Sequence, residues 1–264
     1  MINIQKYVRA QSLEEAYTLN QKKKNRILAG MLWTRMESGN VPVAIDLCDL
    51  GLDKIEENEE EFSIGAMVTL RQLQMHESFE NYCDGIVAKA VKDIIGVQFR
   101  NLATVGGSIW GRFGFSDVLT AFMALDTYVE LYKGGVIPLE KFARMQYDRD
   151  LLVRVIVKKK PGVFSYQAMR VQKTDFPILT CGVSRMDGVC KAVIGARPGK
   201  AVCIHDDRHL LDGEVTEKKA EAFAEYVAEQ VTTGSNMRGS AEYRTHLVKI
   251  LTGRGVMELG GVRA

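Results

Sequence analysis

The residues with the clearest capacity for ligand chemistry lie between Thr104 and Asp117. Thr104 and Ser108 flank two adjacent glycines, Gly106 and Gly107, in a segment that predicts a short turn. Adjacent glycines let the backbone come very close to a ligand, and successive N–H groups in such a turn form a concave donor site that suits a diphosphate. The same residue types are common in ordinary tight turns. On residue types alone, both interpretations stay open.

Other kinds of reaction chemistry have little support in the sequence. His76 has no second histidine at metal-ligand spacing. The cysteines follow no CxxC or related ligand spacing; they are Cys48, Cys83, Cys181, Cys190 and Cys203. We therefore expect reduced, mostly buried thiols, no metal site and no catalytic side chain on this chain. The sequence also contains no GxGxxG motif, no paired-carboxylate motif and no Ser/His/Asp spacing.

The composition predicts an ordinary globular protein of two domains. The chain has 264 residues, of which 46% are apolar and 26% charged, and its formal net charge is +2. Such a small net charge gives no indication of a nucleic-acid or membrane partner. The N-terminal segment lacks an apolar core of signal-peptide length, and no later run is long enough to span a membrane. We therefore expect a cytoplasmic protein.

Apolar spacing and capping residues predict the elements that position the Gly106-Gly107 turn. Residues 86–97 have the spacing of an amphipathic helix, which would deliver the chain to that turn. Residues 118–125 predict a helix that begins at Ser116-Asp117. Residues 26–29 predict a short strand that runs into Gly30, where a second phosphate contact is expected. Further helices are expected to begin at N-cap residues, namely Ser12, Thr69, Thr216 and Ser240.

Several motifs occur in an order typical of one known family. The strongest runs from Asn101 to Ile109 (NLATVGGSI) and is followed by Ser116-Asp117 and by the sequence ALD at 124–126. Residues 64–73 fit the pattern IGA-x-x-T-x-x-x-L, and residues 238–247 fit R-x-S-x-x-Y-R-x-x-L. Together they resemble the flavoprotein subunit of the molybdenum hydroxylases, which includes the medium subunits of xanthine dehydrogenase and carbon monoxide dehydrogenase. The resemblance extends from residue 27 to residue 256.

This resemblance implies an FAD site built from several separate stretches. The implied cofactor-binding residues are Ile27, Leu28, Ala29, Gly30, Met31, Leu32, Trp33 and Thr34 in the first stretch; Ala103, Thr104, Gly106, Gly107 and Ser108 in the second; and Ser116, Asp117, Leu152 and Gln167. No metal ligand is implied on this chain.

The sequence departs from the family pattern in the first stretch. Where the family has AGGTDL, only Ala29 and Gly30 agree, and Met31 replaces the second glycine. Met31 and Trp33 can be interpreted as packing residues or as residues that lie against the flavin. A basic residue is usual in relatives at the position of Gln167. Asp117 is either a helix cap or the acceptor for an FAD hydroxyl group.

The fold implied by the resemblance is α+β. Residues 1–160 should form a two-lobed FAD-binding domain of the vanillyl-alcohol oxidase-like (PCMH) type, with lobes at about 1–55 and 56–160. Residues 161–264 should form a C-terminal domain with a three-stranded antiparallel sheet and helices. The boundary is expected near Pro161-Gly162, which interrupts the strand pattern.

The implied function is that of an FAD-carrying electron-transfer subunit in a molybdopterin-dependent hydroxylase, dehydrogenase or reductive dehydroxylase. Electrons would pass between FAD and the [2Fe-2S] clusters of an iron–sulfur subunit, with molybdopterin on another partner subunit and NAD(P) or a different molecule as acceptor or donor. In such a protein the flavin carries the chemistry. Two alternatives stay open: a stand-alone flavin oxidoreductase, and a scaffold subunit that has lost FAD.

Overall fold

The computed structural model describes residues 1–261, and the chain begins with a small lobe of short, mostly parallel strands. Its elements are β1 (Ile2–Ile4), β2 (Tyr7–Arg9), α1 (Leu13–Asn20), β3 (Arg26–Leu28), β4 (Gly39–Val41) and β5 (Ala44–Asp46). Strand β5 lies between β2 and β3 in a parallel sheet, while β1 pairs with β4. Helix α1 begins where predicted, because the Ser12 hydroxyl accepts the N–H of Glu15 at 3.1 Å.

The second lobe places seven helices against a five-stranded antiparallel sheet. Its strands are β6 (Ile55–Glu57), β7 (Glu61–Gly65), β8 (Thr127–Leu131), β9 (Gly135–Pro138) and β10 (Leu152–Lys158), in the order β6-β7-β10-β8-β9. The helices are α2 (Leu70–Gln74), α3 (Glu77–Tyr82), α4 (Ile86–Val91), α5 (Val97–Arg100), α6 (Val105–Trp110), α7 (Asp117–Ala124) and α8 (Leu139–Arg144). Thr69 caps α2 with a capping box, as predicted for a helix start.

The single helix predicted over residues 86–97 is wrong in its second half. Helix α4 ends at Val91, and α5 begins only at Val97. Between them Ile95 has a φ of 51°, a left-handed conformation that interrupts any helix, and Gly96 continues in extended backbone before α5. The apolar spacing continues through this break because Ile94 packs against the same core as the residues of α4.

The C-terminal part is an antiparallel sheet covered by two long helices. The elements are β11 (Gly162–Met169), β12 (Leu179–Met186), β13 (Val189–Gly195), β14 (Val202–His205), α9 (Glu217–Gln230) and α10 (Ala241–Leu259). Thr216 and Ser240 cap α9 and α10 as predicted. The antiparallel sheet with helices is confirmed, but its expected strand count is wrong. Strand β14 pairs with β13 as a fourth strand, and its four residues are too few to show a clear alternation in the sequence.

Two large apolar clusters hold these parts together. One lies between the five-stranded sheet and the helices of the second lobe. The other lies between the four-stranded sheet and the two C-terminal helices. Among residues 1–261, no helix has both the length and the apolar character needed to cross a membrane.

Candidate cofactor site

A cavity of about 560 Å³ lies where the first lobe, the second lobe and the C-terminal part meet. Its walls come from the loop at residues 29–34, the start of α6, the segment before α7, and residues 170–177 after β11. This volume falls within the usual range for a site that holds a small molecule or cofactor. All of the sequence-predicted cofactor residues line the cavity except Leu28 and Gln167.

The loop at residues 29–34 follows strand β3 and offers unused backbone donors. The N–H groups of residues 30–33 make no hydrogen bond to any described residue. Met31 has a φ of 55°, the left-handed conformation that occurs in anion-binding turns of the backbone. Successive N–H groups in such a turn form a concave site for anions. Because residues 29–34 line the cavity, these donors are available to a ligand there.

Gly30 holds this loop against the second lobe. A Cβ atom at this position would lie only 1.9 Å from the carbonyl oxygen of Leu102. That contact is with backbone, which cannot move aside as the end of a flexible side chain can. The glycine is therefore required by close approach, whatever ligand the loop binds.

The segment Thr104–Ser108 is the start of helix α6, so the predicted short turn with free donors is wrong. Thr104 caps the helix and accepts the N–H of Gly107 at 3.1 Å. The N–H of Gly106 donates to Ala66 at 2.8 Å, and that of Ser108 to Thr104 at 3.1 Å. Each of these N–H groups is already used within the protein, although all of these residues except Val105 are among those that line the cavity.

The first glycine of this pair is explained by packing. A Cβ atom on Gly106 would lie 2.5 Å from the backbone oxygen of Ala66, whereas one on Gly107 would meet only the Thr104 hydroxyl, at 3.1 Å. Gly106 thus lets helix α6 lie directly against the chain after β7. The second glycine is not required in this way.

Asp117 is a buried junction rather than the cap of its helix. The Ser116 hydroxyl caps α7 by accepting the N–H of Leu119 at 3.1 Å. The Oδ1 atom of Asp117 accepts hydrogen bonds from the Tyr166 hydroxyl and from the Arg170 guanidinium. Both bonds end on Oδ1, which leaves Oδ2 available on a residue that lines the cavity.

Burial shifts the pKa values of both Asp117 and Tyr166. It raises the pKa of the Asp117 carboxyl, while the charge of Arg170 opposes the shift. Burial and the nearby carboxylate also raise the pKa of the Tyr166 hydroxyl well above its ordinary value. Tyr166 is therefore a hydrogen-bond donor at neutral pH, and it links the C-terminal sheet to α7.

Four aromatic rings form a cluster at the cavity, and only one of them, Trp33, was a candidate from the sequence. The Trp33 ring lies 5.9 Å from Phe113, 5.7 Å from Phe115 and 6.1 Å from Phe176, measured between ring centroids. These distances are typical of favourable aromatic pairs. Trp33 is 42% exposed, so it is not an ordinary core residue. The Phe113-Gly-Phe115 spacing was the only sequence signal for its partners.

Met31 differs from Trp33 in its surroundings. Its side chain packs against the small apolar cluster of Leu28, Val41 and Ala44. The Met31 side chain is therefore a packing residue, while its backbone is part of the loop at residues 29–34. Leu28 belongs to the same cluster, which explains why it does not line the cavity.

Gln167 points to another part of the molecule. Its side-chain amide donates to Glu258 of helix α10 at 2.7 Å. It is absent from the cavity wall. The structure therefore gives no support to a cofactor contact at this position.

Arg149 is a cavity residue that the sequence did not indicate. Its guanidinium donates to backbone oxygens of Asn20, Lys22 and Asn25 and to the side chain of Asn20. These bonds fasten the segment before β10 to the end of α1. Arg149 thereby joins the two lobes that border the cavity. No local sequence pattern predicts a contact between residues so far apart in the chain.

Known proteins resemble this chain in sequence and in fold. Relatives include the nicotine 6-hydroxylase medium subunit of Paenarthrobacter nicotinovorans, 25% identical with 97% of each chain covered. The xanthine dehydrogenase FAD-binding subunit of Escherichia coli O157:H7 is 26% identical over 74% of this chain and 73% of its own. The fold matches a chain of carbon monoxide dehydrogenase from Hydrogenophaga pseudoflava with a TM-score of 0.85, at 20% identity over 98% of both chains.

Two family models match successive parts of the chain. Residues 164–259 match the CO dehydrogenase flavoprotein C-terminal domain. Residues 2–159 match the FAD binding domain in molybdopterin dehydrogenase. The chain therefore belongs to the molybdopterin dehydrogenase flavoprotein family and carries its FAD-binding domain.

Proposed function

We propose that this chain is the FAD-carrying electron-transfer subunit of a multi-subunit molybdopterin-dependent hydroxylase or dehydrogenase. The observation that carries the proposal is the set of unused N–H groups at residues 30–33, which belong to a loop that lines a cavity of about 560 Å³. A chain that had lost FAD and kept only a scaffold role would have no need of such a donor set. Bound FAD would supply the electron-accepting and electron-donating chemistry.

The residues present fit an FAD molecule. The N–H groups of residues 30–33 would hold the diphosphate. Thr104 lines the same cavity and accepts only the Gly107 N–H, so its hydroxyl hydrogen is available to a ligand oxygen. Asp117 Oδ2 suits a ligand hydroxyl group. The Trp33 cluster would shield an apolar ring from water.

The proposed partners are an iron–sulfur subunit and a molybdopterin-binding subunit. Relatives bear names such as "medium subunit" and "dehydrogenase complex subunit alpha", which support assembly with further chains. We propose that [2Fe-2S] clusters on the partner exchange electrons with FAD, and that NAD(P) or another cytoplasmic molecule is the final acceptor or donor. The proposed division is an FAD-binding domain at 1–160 and a C-terminal domain at 161–264.

The test is to purify the chain together with the products of its neighbouring genes, and separately alone. We expect flavin absorption in both preparations, and release of about one FAD per chain. Reduced partner clusters should reduce the flavin within the complex, and NADH or NADPH addition would then identify the acceptor. A colourless chain that still assembles would overturn the proposal. Flavin reduction by a small organic substrate in the isolated chain would instead support a stand-alone oxidoreductase.

A further inference from the structure

Three residues with metal-binding side chains meet outside the cofactor cavity, where the second lobe contacts the C-terminal sheet. Glu140 lies in the first turn of helix α8, while Cys203 and His205 lie on strand β14 of the C-terminal sheet. Side chains two residues apart on a strand point to the same face. The Cys203-x-His205 spacing therefore directs both side chains toward α8. None of the three contributes to the cofactor cavity.

Two of the three distances between their ligand atoms match those around a tetrahedral ion. His205 Nε2 lies 3.5 Å from Cys203 Sγ and 3.3 Å from Glu140 Oε2. All three ligand atoms lie within 4.8 Å of one another. Zinc bound at about 2.3 Å from sulfur and about 2.0 Å from nitrogen and oxygen would separate adjacent ligand atoms by roughly 3.3–3.6 Å. The side chains therefore need little rearrangement to bind one ion.

The surroundings leave the required atoms accessible. Arg144 pairs with Oε1 of Glu140 at 2.7 Å, while the other carboxylate oxygen, Oε2, faces His205, which is itself one of the three ligands. Cys203 is buried, but the His205 side chain is 44% exposed, which gives an ion a path from solvent. Burial raises the pKa of the Cys203 thiol to about 12, so the metal-free protein carries a thiol rather than a thiolate. Zinc binding would form the Zn–S bond and release that proton to solvent.

We propose that Glu140, Cys203 and His205 form a Zn²⁺ site, with water in the fourth position. Thiolate and imidazole ligands with one carboxylate favour zinc over the hard cations magnesium and calcium. The ion joins helix α8 of the second lobe to strand β14 of the C-terminal sheet. Its role is a clamp between these two parts, distinct from the electron-transfer function proposed above.

In the first test, the purified FAD-containing protein is stripped of metal with a chelator and reloaded with zinc. Unbound zinc is then removed by dialysis, and the zinc that stays with the protein is measured. We expect about one zinc per chain that resists dialysis, with an X-ray absorption spectrum that shows one sulfur and several nitrogen or oxygen neighbours. Cys203→Ser should weaken zinc binding by more than about a hundredfold, and His205→Gln by a similar factor, since even outer-shell changes cost ten- to a hundredfold. Glu140→Gln keeps the size of a partly exposed side chain and should weaken binding by about tenfold or more.

Matched controls change a cysteine and a histidine outside the cluster. Cys48→Ser and His209→Gln alter exposed residues and should leave zinc content and affinity unchanged. FAD content, measured on the same samples, should stay constant in Glu140→Gln, which separates zinc loss from misfolding. Zinc should also raise the melting temperature of the wild-type protein but not that of Cys203→Ser. Absence of stoichiometric zinc, a spectrum without sulfur, or equal loss in the control variants would each overturn the proposal.

Discussion

The loop at residues 29–34 and the start of helix α6 at residues 104–108 line the same cavity but use their backbones in opposite ways. In the loop, the N–H groups of residues 30–33 bind no other described residue. In the helix start, the N–H groups of Gly106, Gly107 and Ser108 are all bonded within the protein. One wall is therefore ready to donate hydrogen bonds, and the other is already satisfied.

The segment with free N–H groups is the one that resembles the family motif less. The helix start matches the family closely, whereas the loop keeps only Ala29 and Gly30 of its motif. Backbone donors do not depend on side-chain identity, so a loop can lose most of its motif and still bind an anion. Conversely, a segment can match the motif closely because its residues are needed for packing, as Gly106 is needed for the contact with Ala66. A motif match in this chain thus indicates a backbone shape before it indicates a ligand contact.

Gly30→Ala should have the largest effect. The new methyl group would overlap the Leu102 carbonyl oxygen, so the loop must move away from the second lobe and its donors must leave their positions. We expect FAD affinity to fall by at least about a hundredfold, or about 2.7 kcal/mol. Measurement of FAD binding by fluorescence titration checks this value.

The control for this change is Gly253→Ala, since a methyl group there meets only Ala224 at an ordinary 3.9 Å. FAD affinity in that variant should equal the wild-type value. Unchanged FAD binding in Gly30→Ala would show that the donor loop does not hold the cofactor.

The second prediction compares the two adjacent glycines of α6. Gly106→Ala forces a methyl group against the backbone of Ala66, and we expect the free energy of unfolding to fall by about 2 kcal/mol. Gly107→Ala meets only a hydroxyl group, and alanine favours a helix, so we expect a change within about 1 kcal/mol. Denaturant unfolding of both variants measures the difference.

Equal losses in these two variants would contradict the packing explanation. FAD affinity, measured on the folded fraction of Gly107→Ala, should stay within about threefold of the wild-type value, or about 0.7 kcal/mol. A much larger loss there would move the diphosphate to the α6 side of the cavity. The start of α6, rather than the loop at residues 29–34, would then be the wall that binds the diphosphate.

The smallest expected effect concerns Met31, whose left-handed backbone costs energy in any residue with a Cβ atom. Met31→Gly and Met31→Ala both remove the side chain from its apolar cluster, but only glycine relieves the backbone. We expect Met31→Gly to be more stable than Met31→Ala by about 1 kcal/mol, the reverse of the usual order. Thermal or denaturant unfolding of the pair measures this difference. A more stable alanine variant would show that the loop is not held in this conformation.

Features decided by a few neighbouring residues could be predicted well from the sequence. The caps at Ser12, Thr69, Thr216 and Ser240 depend on a side chain and an N–H group three residues away, and all four formed. Helix spacing was less reliable: the predicted turn at Gly106-Gly107 is the start of helix α6, and the helix predicted over residues 86–97 breaks near Ile95. There, a single left-handed residue interrupted a spacing that the core still uses.

Contacts between distant segments could not be predicted in this way. The junction of Asp117 with Arg170, and the bonds of Arg149 to the first lobe, join residues far apart in the chain. The same holds for Glu140 beside Cys203 and His205. A single sequence contains no local signal for such a meeting, because it depends on how whole elements pack.

The sequence by itself determined the family, the α+β class and a core set of the residues that line the cavity, namely those of the loop at 29–34 and, except for Val105, of the helix start at 103–108. The motifs and their order carry the resemblance to the family, and the resemblance implies the fold class and the cofactor residues. Only the tertiary structure decided which wall keeps free donors, because an N–H group is free or used according to the acceptor that folding brings to it. On the α6 wall, Ala66 accepts the N–H of Gly106 and Thr104 accepts those of Gly107 and Ser108. In the loop at 29–34, no described residue supplies an acceptor for the N–H groups of residues 30–33.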